Sequence, residues 1–259
     1  MKTLDRALSR LGIGSRTQAQ GWIRAGRVTV DRQVCRDPER WVDPERQVLG
    51  LDGRPLTRAE PITLRLFKPK GVLTSFGDPE GRPTVYNLLE GCPAWVFPVG
   101  RLDQDTSGLL LLTNQTDLAE AITNPRSGLW KRYRVRTRAP LSDADLERLR
   151  AGVLLDDGPT RPARAEWVHR YRGYAVIDLW ISEGRNRQVR RMLRAVDNGV
   201  RELRRLAIGP IELGAQLSGS WRPLEPSELL ELERALAAQG PASGVSGRPP
   251  GAGRRRGAP

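Results

Sequence analysis

The chain has 259 residues, 38% hydrophobic and 28% charged, with 43 Lys and Arg against 30 Asp and Glu, for a net charge of +13. That size suits one large or two modest domains, and that apolar content excludes disorder throughout. No apolar run reaches the ~20 residues of a membrane span, and Lys2, Asp5, Arg6 and Arg10 interrupt any signal-peptide core, so a soluble, cytoplasmic protein is expected.

The first 60 residues form a basic module, net +4. Leu4, Leu8 and Leu11 recur at helical spacing. Ser15 with Gln18 is a capping-box pair that opens a second helix, with Trp22 and Ile23 on its inner face and Gly26 ending it. Val28, Val30 and Val34 alternate as short strands around the polar turn Asp31–Gln33. Arg16, Arg24 and Arg27 surround the second helix and are candidates to meet a phosphate backbone. The run SRTQAQGWIRAGRVTVDRQ is similar to the S4-type RNA-binding module, although an ordinary helical subdomain with a basic face has the same composition.

Pro61 marks the expected boundary. Strands are predicted over 62–67, 109–113, 133–137, 163–168, 174–182 and near 203–213, and helices over 117–123, 143–150, 187–196 and 227–238. Strands and helices that do not strictly alternate imply an α+β domain over 61–239, rather than a doubly wound sheet. Residues 240–259 are rich in Gly and Pro, with Arg248, Arg254, Arg255 and Arg256 and no acid, the composition of a disordered basic tail.

The single histidine, His169, and the widely separated Cys35 and Cys92 match no metal-ligand spacing and make a histidine-based triad improbable. No phosphate-loop or dinucleotide fingerprint is present. Chemistry must rest on carboxylates, aromatics and arginines. The positive charge favours a polyanionic partner, because each neutralised phosphate releases counterions, and it is focused: eight arginines lie between Arg185 and Arg205 against Asp197 and Glu202.

The segment GRLDQDTSGLLLLTN, residues 100–114, places two carboxylates in a polar turn before an apolar strand. Read from the residues alone, Asp103 and Asp105 are more commonly turn caps, and a reactive carboxylate is the rival reading. The segment resembles the active-site motif of the RsuA-type ribosomal RNA pseudouridine synthases. LFKPKGVLTS, DPEGRPTVYNLL, KRYRV, GVLLDDGPTRPA and EGRNRQVRRM match further blocks of that family in order, over about residues 1–235.

The resemblance implies an S4 domain followed by a mixed, largely antiparallel-sheet catalytic domain with flanking helices. It implies isomerisation of uridine to pseudouridine without a cofactor or metal. Asp103 would be the essential aspartate, Tyr133 the tyrosine that stacks on the base, and Arg190 the basic residue paired with the aspartate. Arg101, Arg185 and Arg187 join Arg16, Arg24 and Arg27 as candidate substrate contacts. Each has a plainer reading, since Tyr133 alternates with Val135 as a core residue would, and the arginines suit a solvated surface. Asn114 is followed by Gln115-Thr116 where the family commonly has Asp-Gly, and Asp197-Asn198-Gly199 replaces its more usual turn. The expected partner is ribosomal RNA, the large-subunit (23S) molecule in preference to the small-subunit (16S) one, acted on by a monomer with no membrane association. The rivals are a non-catalytic ribosome-assembly factor and a hydrolase using Asp103 with Asp105.

Overall fold

The computed structural model describes residues 1–238, so the expected basic tail at 240–259 lies outside the described residues. Near the N-terminus, helices Leu4–Arg10 and Arg16–Arg24 pack against a small sheet of Val28–Val30, Gln33–Val34, Leu49–Leu51 and Arg54–Pro55. The Ser15 hydroxyl accepts from Gln18 N at 3.1 Å, and the Gln18 side chain accepts from Ser15 N at 2.9 Å, so both partners of the capping box are in place. Leu4, Leu8, Ile23, Val28 and Val42 fill this unit's own core. Asp31 and Arg32 take positive φ in the two-residue turn between the first two strands, the conformation that a tight hairpin requires.

The larger unit is built on a nine-stranded mixed sheet. Its main path runs Arg164–Arg170, Ala175–Ile181, Lys131–Thr137, Val200–Ile208, Ser107–Thr113, Thr63–Lys68 and Trp221–Pro223. All neighbours on this path are antiparallel except Val200–Ile208 beside Ser107–Thr113. The strand expected near 203–213 is divided: Gly209, at φ +53°, turns the chain so that Ile211–Glu212 folds back on Ile208 and Ala207.

The four leucines 109–112 are fully buried because the sheet is covered on both faces. Leu110 and Leu112 join one core with helices Asp143–Ala151 and Gln188–Arg194 through Leu146, Leu149, Met192 and Leu193. Leu109 and Leu111 join the opposite core with Ile122 of helix Thr116–Thr123 and Leu232 of helix Pro226–Ala237. Each such leucine contributes about 1.5–3 kcal/mol of burial.

The units meet through the connecting segment and through an ion pair of Arg10 with Asp117, at 3.5 Å. Ala59 N donates to Leu11 O at 2.9 Å, and the buried Asn114 amide grips the connecting segment, donating to Glu60 O at 2.7 Å and accepting from Ile62 N at 2.9 Å.

Candidate active site

The loop carrying Asp103 is held from beneath by the KPKG segment. Gly71 N donates to Gln104 O at 2.7 Å, and Thr74 Oγ1 donates to Leu102 O at 2.8 Å. Lys68 is completely buried; its ammonium donates to Pro69 O and Thr106 O, both at 2.9 Å. Burial lowers its pKa to about 8, against the opposing pull of Asp103 and Asp105. On the far side of the loop the chain enters its parallel pairing at Gly108. At φ +111° a Cβ there would lie 2.2 Å from Arg205 O, so only glycine lets the Arg205 strand approach.

The EGRNRQ segment closes on itself from the other side. Gln188 donates to the buried Glu183 carboxylate at 2.6 Å and accepts from Arg185 N at 3.1 Å. This sets Arg187 in the left-handed region, φ +48°, one residue before helix Gln188–Arg194. Its guanidinium then reaches the aspartate loop, Nη1 lying 3.8 Å from Asp103 Oδ2 and Nη2 3.1 Å from Asp105 Oδ2. Arg190 Nη2 lies 3.0 Å from Asp105 Oδ2 and donates to Asp105 O at 3.0 Å. The arginine expected beside Asp103 therefore meets Asp105. From helix position 190 the side chain reaches the base of the loop, whereas Arg187, preceding the helix, reaches Asp103. Burial also draws the Arg190 pKa down, with Asp105 opposing.

A cleft of about 370 Å³ opens above, within the usual size of a small-ligand site. Asp103, Tyr133, Arg101, Arg185 and Arg187 line it, together with Lys131 and Arg205. The Asp103 side chain is 30% exposed, and among the described residues its one ion-pair partner is Arg187. Its carboxylate thus remains open to a ligand as nucleophile or base. Tyr133 is buried, with its hydroxyl 3.5 Å from Arg205 Nη1. A register shift between Arg132 and Tyr133 sets the tyrosine opposite Arg205.

Arg205, Lys68 and Lys131 were not legible as site residues. Arg205 is 4% exposed; its Nε donates to Leu109 O at 2.7 Å, while Nη2 is buried without a hydrogen-bond partner among the described residues. Lys131 donates to Leu129 O at 3.2 Å, and burial first, then Arg205 and Arg161, lowers its pKa to about 8. The KPKG and KRYRV blocks, which carry the two lysines, and the arginine run that ends at Arg205 were the available signals.

The other candidates divide. Arg101 is exposed at the cleft with no ion-pair partner among the described residues. Arg185 is occupied by the 156–159 segment, donating to Gly158 O at 2.9 Å and Pro159 O at 2.6 Å. Arg16, Arg24 and Arg27 lie on the N-terminal unit and outside the cleft. Arg16 is held by Asp5 through two bonds, at 3.1 and 2.8 Å, and Arg27 by Asp52, at 2.8 and 2.6 Å. Arg24 is exposed. His169 is exposed on strand Arg164–Arg170, beside Tyr171.

Among the described residues no group of acidic, histidine or cysteine side chains forms a metal site, and no helix is long and apolar enough to cross a membrane. What the cleft presents is an accessible carboxylate, a buried phenol and several cations, a set suited to a planar, carbonyl-bearing ring attached to phosphate.

Comparison with known proteins places the chain in a family. The sequence profile of the RNA pseudouridylate synthase family matches residues 63–195, and that of the S4 domain matches residues 2–48. A protein of Aquifex aeolicus (strain VF5) described as an uncharacterized RNA pseudouridine synthase is 38% identical over 235 residues, covering 90% of this chain and 94% of its own. The ribosomal large subunit pseudouridine synthase B of Bacillus subtilis (strain 168) is 35% identical over 242 residues, covering 93% and 98%. A crystal structure of a pseudouridylate synthase superposes with a TM-score of 0.64 at 31% identity, covering 90% of this chain and all of the other. With an S4 domain ahead of a sheet whose central loop presents Asp103 to a cleft, this chain belongs to the RNA pseudouridine synthase family.

Proposed function

We propose that the protein converts one uridine of ribosomal RNA to pseudouridine, and that the RNA is that of the large subunit. The accessible Asp103 carboxylate in a nucleoside-sized cleft, beside the buried Tyr133, carries the reading. The likeness to the large-subunit enzyme of Bacillus subtilis over nearly the full length of both chains supports the choice of RNA.

The reaction breaks the N1–C1′ bond, turns the base over and forms a C5–C1′ bond; the C5 proton leaves and N1 gains one, so no atom or electron is needed from outside. Asp103 attacks or deprotonates the nucleotide. Tyr133 stacks on the base and handles the C5 proton. Arg187 and Arg190 hold the aspartate loop, Arg187 touching Asp103 itself and Arg190 acting through Asp105. A base in a duplex hides its glycosidic bond, so the uridine is extruded or already unpaired, at a cost of about a few kcal/mol offset by stacking and phosphate contacts. Residues 1–60 form the RNA-anchoring domain and 61–239 the catalytic one, working as a monomer in the cytoplasm.

The test is pseudouridine mapping of both ribosomal RNAs in cells with the gene, without it, and with Asp103→Asn. One large-subunit site should disappear without the gene and stay absent with the Asn form, whose rate should be below about 1% of wild type. Loss of a small-subunit site would reassign the substrate, and full activity of Asp103→Asn would remove Asp103 from the chemistry.

A further inference from the structure

We propose that the groove between the S4 unit and the catalytic domain, walled by Phe76, Trp95, Arg16 and Arg101, binds an unpaired nucleotide of the substrate strand next to the target uridine, with its base stacked on Phe76. The inference rests on the reading of an RNA substrate given above.

The groove measures about 340 Å³ and takes Ser9, Ser15 and Arg16 from the S4 side. Phe76 is 43% exposed, yet it is not a loose side chain. It meets Tyr86 edge-on at 5.2 Å and Trp95 edge-on at 5.0 Å, and those two rings stack on each other at 4.8 Å. An aromatic ring fixed in orientation and open to solvent has the properties of a base-stacking platform.

Charge complementarity points to the same occupant. Arg101 has no ion-pair partner among the described residues, and the Arg16 side chain remains 52% exposed although Asp5 fixes its position. Two cations lining the same groove as the aromatic ring, Arg16 fixed by Asp5 and Arg101 open, suit a nucleotide's phosphate and base together.

The groove is also continuous with the active site. Gly100 and Arg101 line both it and the cleft. The loop bearing Phe76 is laced to the loop bearing Asp103 by Thr74 with Leu102 and by Gly71 with Gln104. A base seated on Phe76 therefore fixes the strand relative to Asp103. Because every base has a π face, this contact sets position rather than reading sequence.

The experiment uses the full chain and single-stranded oligoribonucleotides with one central uridine and 2-aminopurine on its 5′ or its 3′ side. Fluorescence should be quenched on binding for one of the two arms. Phe76→Leu, which keeps apolar contact with Tyr86 and Trp95, should abolish that quenching and raise Kd about tenfold, and Phe76→Trp should restore both. Quenching and Kd identical in wild type and Phe76→Leu, with pseudouridine still formed in ribosomal RNA, would overturn the proposal and leave the enzymatic reading intact. Quenching that depends on Phe76, from a protein that forms no pseudouridine, would uphold the groove and overturn that reading. Quenching that develops only after residues 240–259 are removed would make the groove a seat for the chain's own C-terminal segment and defeat the proposal.

Discussion

The S4 unit and the catalytic cleft both carry excess positive charge, and they treat it in opposite ways. On the S4 unit, Asp5 takes Arg16 and Asp52 takes Arg27, each through two bonds. Beneath the cleft, Lys68, Lys131 and Arg205 have no carboxylate within ion-pair distance among the described residues; carbonyl oxygens and one phenol are their partners. Desolvated cations with no carboxylate in contact are costly, and the cost falls when phosphate or carbonyl oxygens of a ligand enter. A net charge of +13 therefore says that a polyanion is favoured, but not which cations meet it. A cation whose charge a carboxylate already offsets gains less from a phosphate than one without such a partner, so in the groove Arg101 supplies more of the attraction than the Asp5-held Arg16.

The contrast is broken or upheld most directly at Arg205. Arg205→Met keeps the bulk and removes the charge aimed into the cleft. The single-turnover rate at saturating RNA should fall about a hundredfold. Stability should change little, since the lost hydrogen bond to Leu109 O, about 1–3 kcal/mol, is offset by relief of a desolvated charge. Arg205→Lys should recover part of the rate. Wild-type turnover by the Met variant would reduce the arginine to a support for the strand.

The buried Lys68 and the half-buried Lys131 extend the comparison to pH. Lys68 and Lys131 titrate near 8 in the folded chain against an ordinary 10.5. Between those values the unfolded chain holds more protons, so stability rises with pH there, and the benefit is lost as pH falls through about 8. RNA affinity should move the other way, declining above about pH 8 as Lys131, which lines the cleft, neutralises. Denaturant titrations and binding isotherms from pH 7 to 10 would check both, and Lys131→Met should flatten both slopes. Affinity that holds constant across this range would show that neither lysine senses the ligand.

On the S4 side the Asp5–Arg16 pair also has a structural part, and acid should reveal it. Burial raises the Asp5 pKa, but hydrogen bonds from Thr3, Gln20 and Arg16 outweigh it and bring the value to about 2, from 3.8. The stability this confers is complete above the unfolded value and disappears as pH falls from about 4 through about 2. It amounts to on the order of 2 kcal/mol. Acid unfolding of wild type and Asp5→Asn, followed by Trp22 fluorescence in a variant lacking the other tryptophans, should differ in this window.

The smallest effect separates two neighbouring arginines. Arg24→Gln should lower the salt dependence of RNA binding by about 0.7 log unit per tenfold salt, the loss of one single-strand phosphate contact. Arg27→Gln should lower it less, because Asp52 already holds that guanidinium. Equal losses would show that RNA displaces the carboxylate.

Local order in this chain was legible because it depends on near neighbours. The Ser15–Gln18 box, the helix opening after Ser142 and the four-leucine strand follow from spacing and burial pattern, and all are present. The site was legible as a set of motifs, and Asp103, Tyr133, Arg187 and Arg101 do share one cleft. Partner choice was less so. Arg190 on Asp105, 85 residues away in the chain, and Arg205 on Leu109, 96 away, are pairings between elements that only the sheet order brings together.

The sequence by itself determined that a basic S4 unit precedes an α+β synthase domain and that Asp103 sits in a turn before a buried strand, since periodicity, capping and motif order are properties of consecutive residues. Only the tertiary structure decided which charges are neutralised, which are buried and which stay open to RNA. A guanidinium's availability depends on the carboxylate or carbonyl that packing sets beside it, and packing joins residues far apart in the chain.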